Sequence, residues 1–188
     1  MTDNHTVLFD FDGVIADSFR AALNTAKARC KHRTEEGYRK AFEGNIYSDT
    51  FERPDHDHTD CNHENDWWNT FASFFAQSGG IFPQMDEIVK KLAVDYRLVI
   101  VSSSTSTIIE SFLKDHDLLE CFDGIYDMTV HQSKSEKIGM IFEKYGVTSA
   151  DCVMITDSKG DILEAREKDV QCIAVTWGFN SYDVLLSG

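Results

Sequence analysis

The sequence predicts an α/β fold in which a parallel sheet carries helices on both faces, and three observations support this. Short apolar runs rich in branched residues alternate with segments whose apolar residues recur at helical spacing. The run Arg97–Val101 is continuously apolar after its first residue, as in a strand buried on both faces. Alternation of this kind implies right-handed crossovers between neighbouring parallel strands.

Each element is predicted from its local pattern. Strands are expected in five apolar runs: Thr6–Phe9, Arg97–Val101, Gly124–Asp127, Cys152–Ile155 and Cys172–Val175. Helices are expected where apolar residues recur every three or four positions: 85–92 after Pro83, 108–113, 138–145 before Gly146, and 162–168. The stretch from roughly 18 to 80 is polar and helix-prone. The whole pattern describes a Rossmann-like sheet, where ligands bind beyond the carboxyl ends of the strands.

Composition limits the classes of function that fit the chain. The 188 residues suit one domain with a small insertion, and an apolar fraction of 42% supports an ordinary core. The formal net charge of −14 argues against nucleic acid or an anionic membrane as a partner, because both repel an acidic surface. The sequence has no run of about 18 apolar residues, so no membrane span is expected.

The cysteines and the N-terminus predict the compartment. The five cysteines are odd in number and widely spaced: Cys30, Cys61, Cys121, Cys152 and Cys172. We therefore expect reduced thiols in a cytoplasmic protein. Residues 1–5 lack the basic and then apolar pattern of a signal peptide.

Two carboxylates, Asp10 and Asp12, follow the first strand directly, and Gly13 lets the chain turn away tightly. At the carboxyl edge of a sheet such charges need compensation, which a divalent cation can supply. The pair can then serve phosphoryl chemistry as nucleophile and proton carrier. An ordinary Asp-Gly turn is the alternative. An EF-hand calcium loop does not fit, because Ala21 stands where a bidentate Glu is needed.

Polar residues also follow two later strands. Ser102 and Ser103 come after Val101, where a hydroxyl and the N–H groups of a helix start suit a phosphate, with a serine-rich helix cap as the alternative. Asp157 and Asp161 surround the turn after the Cys152–Ile155 run. One carboxylate can hold a metal while the other orients a ligand or a lysine, with simple helix capping as the alternative.

A lysine at the start of the 138–145 helix completes the set of candidate residues. Lys134 lies where an ammonium group can pair with both a substrate phosphate and a nucleophilic carboxylate, and Lys137 is the second candidate. Surface lysines are common, so a lysine alone would not indicate a site, and this one is a candidate because the chain also contains the carboxylates named above.

Together these segments resemble the haloacid dehalogenase-like superfamily of hydrolases, in particular its capped phosphoglycolate phosphatase-like and β-phosphoglucomutase-like branch. Four motifs match in chain order: Asp10–Gly13, Ser102, Lys134, and Asp157 with Asp161. Lys134 is preferred over Lys137, because apolar residues follow it at the offsets seen in the family. Thr156, where many members have Gly or an acidic residue, and the lack of a proline after the lysine are departures from the pattern.

The resemblance implies a mechanism and a cofactor. Asp10 would attack phosphorus and form an aspartyl-phosphate, while Asp12 would protonate the leaving oxygen and then activate water. Mg²⁺ would be held by Asp10, the backbone carbonyl of Asp12, and Asp157, an oxygen-rich set suited to a hard cation. Dehalogenases lack a carboxylate at the position of Asp12, so carbon–halogen cleavage is not expected.

The resemblance also assigns the other site residues. Ser102, Ser103 and Lys134 would bind the phosphoryl group, where electrostatic stabilisation supplies most of the catalysis. Asp161 would lie behind the metal or the lysine and orient it.

The polar insertion resembles the helical cap of this superfamily. It divides the chain into a core of residues 1–17 and 81–188 and a cap of residues 18–80, with hinges expected at 17–18 and 78–80. A cap that closes over the site would exclude water and select the leaving group.

Two features inside this cap are open to interpretation. Residues 55–64 are rich in His and Asp but lack a recognised zinc spacing, which favours a solvated loop over a metal site. An aromatic set at helical spacing is expected to form the cap core rather than to contact substrate: Trp67, Trp68, Phe71, Phe74 and Phe75.

The leading hypothesis is therefore Mg²⁺-dependent hydrolysis of a small phosphorylated metabolite. A phosphomutase uses the same residues, and a phosphonate hydrolase would need a cap lysine such as Lys27, Lys31 or Lys40. A ligand-binding member without catalysis is the hypothesis from another class, and the presence of both Asp10 and Asp12 argues against it. The sequence makes no prediction of oligomeric state.

Overall fold

A five-stranded parallel sheet forms the centre of the computed structural model, which describes residues 5–44, 60–62 and 66–188. The strands are β1 (Thr6–Phe9), β2 (Ala16–Asp17), β3 (Gly80–Ile81), β4 (Arg97–Val101), β5 (Gly124–Tyr126), β6 (Cys152–Thr156) and β7 (Gln171–Ala174). The helices are α1 (Phe19–Arg29), α2 (Glu35–Lys40), α3 (Trp67–Ser78), α4 (Met85–Asp95), α5 (Ser106–Asp115), α6 (Lys134–Tyr145), α7 (Lys159–Arg166) and α8 (Tyr182–Leu186).

The sheet order explains where a site can form. The strands lie in the order β5-β4-β1-β6-β7, and all four neighbouring pairs are parallel. From β1 the chain moves to β4 and β5 on one side, then crosses to β6 and β7 on the other. The carboxyl end of β1 therefore lies at the point where the strand order reverses, which is where open α/β sheets bind ligands.

Side chains of β1 alternate between two buried clusters, one on each face of the sheet. Val7 and Phe9 pack in the cluster that contains residues of α4 and α5, whereas Leu8 packs in the cluster that contains residues of α6 and α7. Alternation with period two sends neighbouring residues to opposite faces, so a run of apolar residues is buried on both. The predicted α/β Rossmann-like class, with helices on both faces, is confirmed.

The two ends of the insertion meet in a small two-stranded ribbon next to the core. Strands β2 and β3 pair antiparallel, with Ala16 opposite Ile81 and Asp17 opposite Gly80. Helices α1, α2 and α3 lie between these strands in the chain, and α1 packs along α3. The two expected hinge segments therefore lie side by side.

The prediction that all five cysteines are reduced thiols is wrong for two of them. Cys30, at the end of α1, and Cys61 form a disulfide across 31 positions of sequence. The backbone N–H of Asn62 donates to the carbonyl of Arg29 at 2.8 Å, which brings the two segments together. Spacing along the chain gives no measure of this spatial closeness. The cytoplasmic location stays a prediction, because part of its support came from those thiols.

Only part of the predicted loop at 55–64 lies within the described residues. In that part Asp60 accepts from Lys31 at 2.8 Å and interacts with His32 Nε2 at 3.0 Å. Among residues 5–44, 60–62 and 66–188, no three His, Cys, Asp or Glu side chains are placed so that all of them could hold one metal ion. Among the helices in those same ranges, none combines the length and the apolar character needed to cross a membrane.

Candidate active site

Asp10 and Asp12 lie directly beyond the carboxyl end of β1. The amide N–H of Asp10 donates to Ile155 of the neighbouring strand at 2.9 Å, so the pairing of the sheet fixes its position. The residue is 6% exposed, and its carboxylate accepts from the N–H of Phe11 at 2.7 Å. Asp12 Oδ1 is buried and has no hydrogen-bond partner of good geometry in the described part of the chain. An unpartnered buried carboxylate oxygen is costly, which points to a ligand that it would contact.

Lys134 is the lysine that reaches the nucleophile candidate. Its Nζ lies 2.8 Å from Asp10 Oδ1 and 2.7 Å from Asp161 Oδ2, at 3% exposure of the residue. The N-cap of α6 is Ser133, whose hydroxyl accepts from the N–H of Glu136, and this places Lys134 at the first helical position. Of the two lysines left open by the sequence, Lys134 therefore has the geometry expected for the site.

Lys137 lies one turn further along α6 and is fully buried. Its Nζ donates to the backbone carbonyl of Ser102 at 2.7 Å. Burial, and after it the charge of Lys134, lowers the pKa of Lys137 to about 8. This lysine therefore contacts the backbone of the β4–α5 loop rather than Asp10.

Asp157 follows β6 and is 2% exposed. Its Oδ2 accepts from the N–H of Phe179 at 2.6 Å. Gly13 and Gly178 pass so close to this carboxylate that a Cβ at either position would collide with it, and Gly13 also has a φ of +77°. Two glycine backbones and one amide thus form a tight cradle that sets the orientation of Asp157.

Asp161 lies in the first turn of α7 and is fixed by two donors. Besides Lys134, the hydroxyl of Thr156 donates to its Oδ2 at 2.6 Å, and the same hydroxyl accepts from the N–H of Ser158 at 3.1 Å. Thr156 therefore orients the carboxylate that holds Lys134. In the sequence Thr156 is only a departure from the family pattern, because a single threonine carries no visible signal for this contact.

The serine loop after β4 is arranged differently from a simple set of phosphate ligands. The Ser102 side chain is fully buried, and its hydroxyl accepts from the N–H of Ser104 at 3.0 Å. Ser103 and Ser104, rather than Ser102, line the cavity above Asp10. Ser104 was not among the predicted site residues, although its position in the Ser102–Thr105 run was a usable signal.

The charges at the site are out of balance. Lys134 pairs with Asp10 and Asp161, and Asp157 is a third buried carboxylate close enough to influence Asp10. Burial raises the pKa of Asp10 well above its usual value; Lys134 counteracts this, and the charges of Asp161 and Asp157 add to it. Burial likewise raises the pKa of Asp157 to about 7. Excess negative charge in a low-dielectric site is the electrostatic environment that a bound cation would relieve.

Two further groups respond to the same environment. Burial alone would lower the pKa of Lys134, but the carboxylates of Asp10 and Asp161 outweigh it and raise that pKa above its usual value. Burial also raises the pKa of Asp12, and the hydroxyls of Ser18 and Ser104 offset part of the rise. The environment therefore favours the charged form of Lys134 and the protonated form of Asp12.

A cavity of about 520 Å³ opens above these groups. Asp10, Asp12, Lys134 and Asp157 line its polar end, and residues of α1, α2 and α3 line the opposite end. Of the aromatic set that the sequence assigned to the cap core, Phe71 and Phe75 are buried as expected. Trp67, Trp68 and Phe71 also line the cavity, so the helix contributes to both core and cavity wall.

Comparison with known proteins places most of the chain in one protein family. The model of the family described as haloacid dehalogenase-like hydrolase matches residues 7–175. A phosphoglycolate phosphatase of Vibrio parahaemolyticus is 25% identical over 118 residues, covering 58% of this chain and 52% of that protein. A phosphoglycolate phosphatase of Synechococcus elongatus is 28% identical over 108 residues, covering 57% and 51%. The chain thus spans about half the length of the curated relatives it matches.

Solved structures are similar over nearly the whole chain. A haloacid dehalogenase-like family hydrolase from Streptococcus pneumoniae superposes with a TM-score of 0.74 at 22% identity, covering 100% of this chain and 91% of that one. A protein described as a predicted phosphatase from Clostridium acetobutylicum gives 0.76 at 20% identity, covering 97% and 89%. At these identities the likeness establishes the fold.

Proposed function

The chain belongs to the haloacid dehalogenase-like hydrolases, and from the geometry of its site we propose that it hydrolyses small phosphomonoesters with the help of Mg²⁺. The observation that carries the proposal is the contact of Lys134 Nζ with Asp10 Oδ1 at 2.8 Å, at the polar end of the cavity. A buried carboxylate beside a fixed ammonium, open to a cavity, is arranged for attack on an anionic group. The phosphatase names of the relatives agree with this reading.

The residues at the site fit a magnesium ion. Asp10, Asp157 and the backbone oxygen of Asp12 would hold it, leaving the other positions to water and substrate, as Mg²⁺ prefers. The fit rests on the excess of buried carboxylate charge and on the glycine cradle that orients Asp157. When bound, the ion would neutralise negative charge on the phosphoryl oxygens and on the carboxylates.

Asp10 would act as the nucleophile. Its carboxylate oxygen forms a bond to phosphorus as the bond from phosphorus to the leaving oxygen breaks, which gives an aspartyl-phosphate and a free alcohol. Asp12 would give its proton to the leaving oxygen and then take a proton from the attacking water. Water attack on phosphorus releases inorganic phosphate and restores the Asp10 carboxylate.

Lys134 and the serine loop would hold the transferred group. Lys134, kept in place by Asp161 and Thr156, would pair with phosphoryl oxygens as well as with Asp10. The loop after β4 would add hydroxyl and N–H donors from Ser103 and Ser104, which line the cavity, whereas the buried Ser102 would shape the loop by accepting from the N–H of Ser104. Such pre-oriented donors stabilise charge that develops in the transition state.

Residues 18–80 would form a cap over a core of residues 1–17 and 81–188. The β2–β3 ribbon joins the two ends of this insertion, and α1, α2 and α3 supply the wall of the cavity that faces Asp10. Closure would exclude bulk water from the phosphoryl group. Among the described residues that line the cavity, Lys134 is the one lysine, so a phosphonate hydrolase with a cap lysine has no support from these contacts.

Phosphate release from a panel of small phosphomonoesters, with and without Mg²⁺, tests the proposal. We expect Mg²⁺-dependent turnover that Asp10→Asn reduces by about a thousandfold or more, because the amide is a poor nucleophile. Asp95→Asn, an exposed carboxylate at the end of α4, is the matched control and should keep wild-type turnover. Turnover that survives in Asp10→Asn, or that does not respond to Mg²⁺, would contradict the assignment.

A further inference from the structure

The cavity is much larger than a phosphoryl group needs. Its volume of about 520 Å³ lies in the range of about 300–1,000 Å³ that holds drug-sized ligands. Asp10, Lys134 and Asp157 lie at the end next to the sheet, and Arg29 and Arg33 of the insertion are charged residues that also line the cavity. The remaining space lies against the insertion, so it is the leaving group of the substrate that this part of the cavity would receive.

The wall of that remaining space is aromatic. Tyr38, Phe42, Trp67, Trp68 and Phe71, from two separate segments of the insertion, all line it. Trp67 and Trp68 are only partly buried by the protein itself, so indole surface is left for a ligand. Aromatic rings bind other rings by stacked or edge-on contact in addition to simple apolar burial.

Helix α1 contributes a smooth side to the same cavity. Ala22 and Ala26 are one turn apart, and both line it. Both residues are nearly buried, so each exposes only a small methyl surface that takes up little room in the cavity. The wall therefore combines large aromatic faces with a shallow apolar surface.

We propose that the leaving group of the natural substrate carries an aromatic ring, which lies between the α1 alanines and the tryptophans of α3. The proposal rests on the proposed phosphatase function and specifies its substrate class. It differs from phosphoglycolate, the substrate in the names of several relatives, whose two-carbon acid would leave most of the cavity and its aromatic wall without contact.

Two esters with leaving alcohols of similar acidity isolate the effect of the ring: 2-phenylethyl phosphate and ethyl phosphate. We expect kcat/KM to favour the phenyl ester by about 10- to 100-fold, the range for burying one aromatic side chain. Trp68→Ala should reduce this ratio several-fold. Tyr182→Ala, which removes an exposed aromatic ring on α8, is the matched control and should leave the ratio unchanged.

A third ester, 2-cyclohexylethyl phosphate, separates aromatic recognition from general apolar binding. Ring–ring contact should favour the phenyl ester over the cyclohexyl ester by about two- to tenfold. A ratio near one between ethyl and phenylethyl phosphate, or a preference for phosphoglycolate over phenylethyl phosphate, would overturn the proposal. A preference for phosphoglycolate would indicate that Arg29 and Arg33, which also line the cavity, select the leaving group instead of the aromatic residues.

Binding of the non-hydrolysable phosphonates keeps this test independent of catalysis. Calorimetric titration of the Mg²⁺-loaded protein with 3-phenylpropylphosphonate and propylphosphonate compares the same ring without turnover. Tighter binding of the phenyl compound, weakened by Trp68→Ala, would support the aromatic substrate class even if no ester were hydrolysed. A lack of ester hydrolysis would count against the phosphatase assignment alone. Equal affinities would reject the aromatic leaving group while leaving the phosphatase assignment intact.

Discussion

The raised pKa of Asp157 predicts that the stability of the folded chain depends on pH. Burial raises its pKa to about 7 in the folded protein, whereas an unfolded Asp titrates near about 3.9. Between these values the folded state binds more protons than the unfolded state, so this group makes stability fall as pH rises from about 4 to 7. In metal-free protein we therefore expect the melting temperature to decrease over that window.

Replacing this carboxylate tests that explanation. Asp157→Asn removes the titration, so the slope of melting temperature against pH in EDTA should become shallower between pH 4 and 7. Asp95→Asn, on the exposed end of α4, is the control and should reproduce the wild-type slope. For wild type, Mg²⁺ should raise the melting temperature more at pH 8 than at pH 5, because the ion competes with protons for carboxylates. A slope unaffected by Asp157→Asn would contradict this account.

At the scale of elements, Phe179 connects the insertion to the site. Its N–H donates to Asp157 Oδ2, and its carbonyl accepts from Arg39 Nη1 at 3.2 Å. The Arg39 guanidinium also lies 3.7 Å from the ring centroid of Phe19. The rings of Phe19 and Phe42 each lie 5.1 Å from that of Phe179, mostly edge to face. Phe179 therefore contacts both the Asp157 carboxylate and three residues of the insertion, which are Phe19, Arg39 and Phe42.

This connection predicts that Arg39 affects metal binding without touching the metal. Arg39→Gln should raise the Mg²⁺ concentration for half-maximal activity by about two- to tenfold, which is less than the roughly 10- to 100-fold typical for a direct partner of a metal ligand, because Arg39 acts on Asp157 through Phe179. Arg39→Lys should not restore it, because an ammonium cannot both stack and donate as a guanidinium does. Arg20→Gln is the control, since Arg20 also pairs with Glu35 but lies away from Phe179. Equal Mg²⁺ dependence of the two Gln variants would contradict the connection.

The disulfide is a second element-scale feature with a measurable effect. It links the end of α1 to Cys61 and closes a separation of 31 residues. Losing such a crosslink should lower the free energy of unfolding by about 3 kcal/mol, because the unfolded chain gains conformational freedom. Urea unfolding of Cys61→Ser against the Cys121→Ser control, which removes a free thiol, measures the difference. Equal stability of the two variants would argue that the crosslink does not constrain the unfolded chain.

At the scale of the whole molecule, the site depends on strands far apart in sequence. Asp10 lies after β1, Lys134 at the start of α6, and Asp157 after β6, yet the parallel pairing of β1 with β4 and β6 brings these ends together. A strand end and its following polar residues are visible in sequence, because periodicity and turn residues mark both. That is why the fold class and the positions of Asp10, Asp12, Asp157 and Asp161 could be predicted.

Several contacts had no signal of this kind. The contact of Thr156 with Asp161 and the contact of Phe179 with Asp157 each depend on side-chain directions where separate segments meet. The pairing of Cys30 with Cys61 depends on how α1 packs in the insertion. A local sequence pattern carries no information on the distance between separate segments, so these contacts could not be predicted from spacing or composition.

The sequence by itself determined the α/β fold and the carboxylates at the end of its central strand, because both follow from local apolar periodicity and from residues that end a strand. The resemblance to the family favoured Lys134 over Lys137, and only the tertiary structure decided which lysine meets Asp10. Lys134 and Lys137 are three residues apart on one helix, and only the packing of α6 against the sheet directs Lys134 to the carboxylates and Lys137 to the carbonyl of Ser102. It also decided that Trp67 and Trp68 face the cavity, because that depends on how α3 packs on α1.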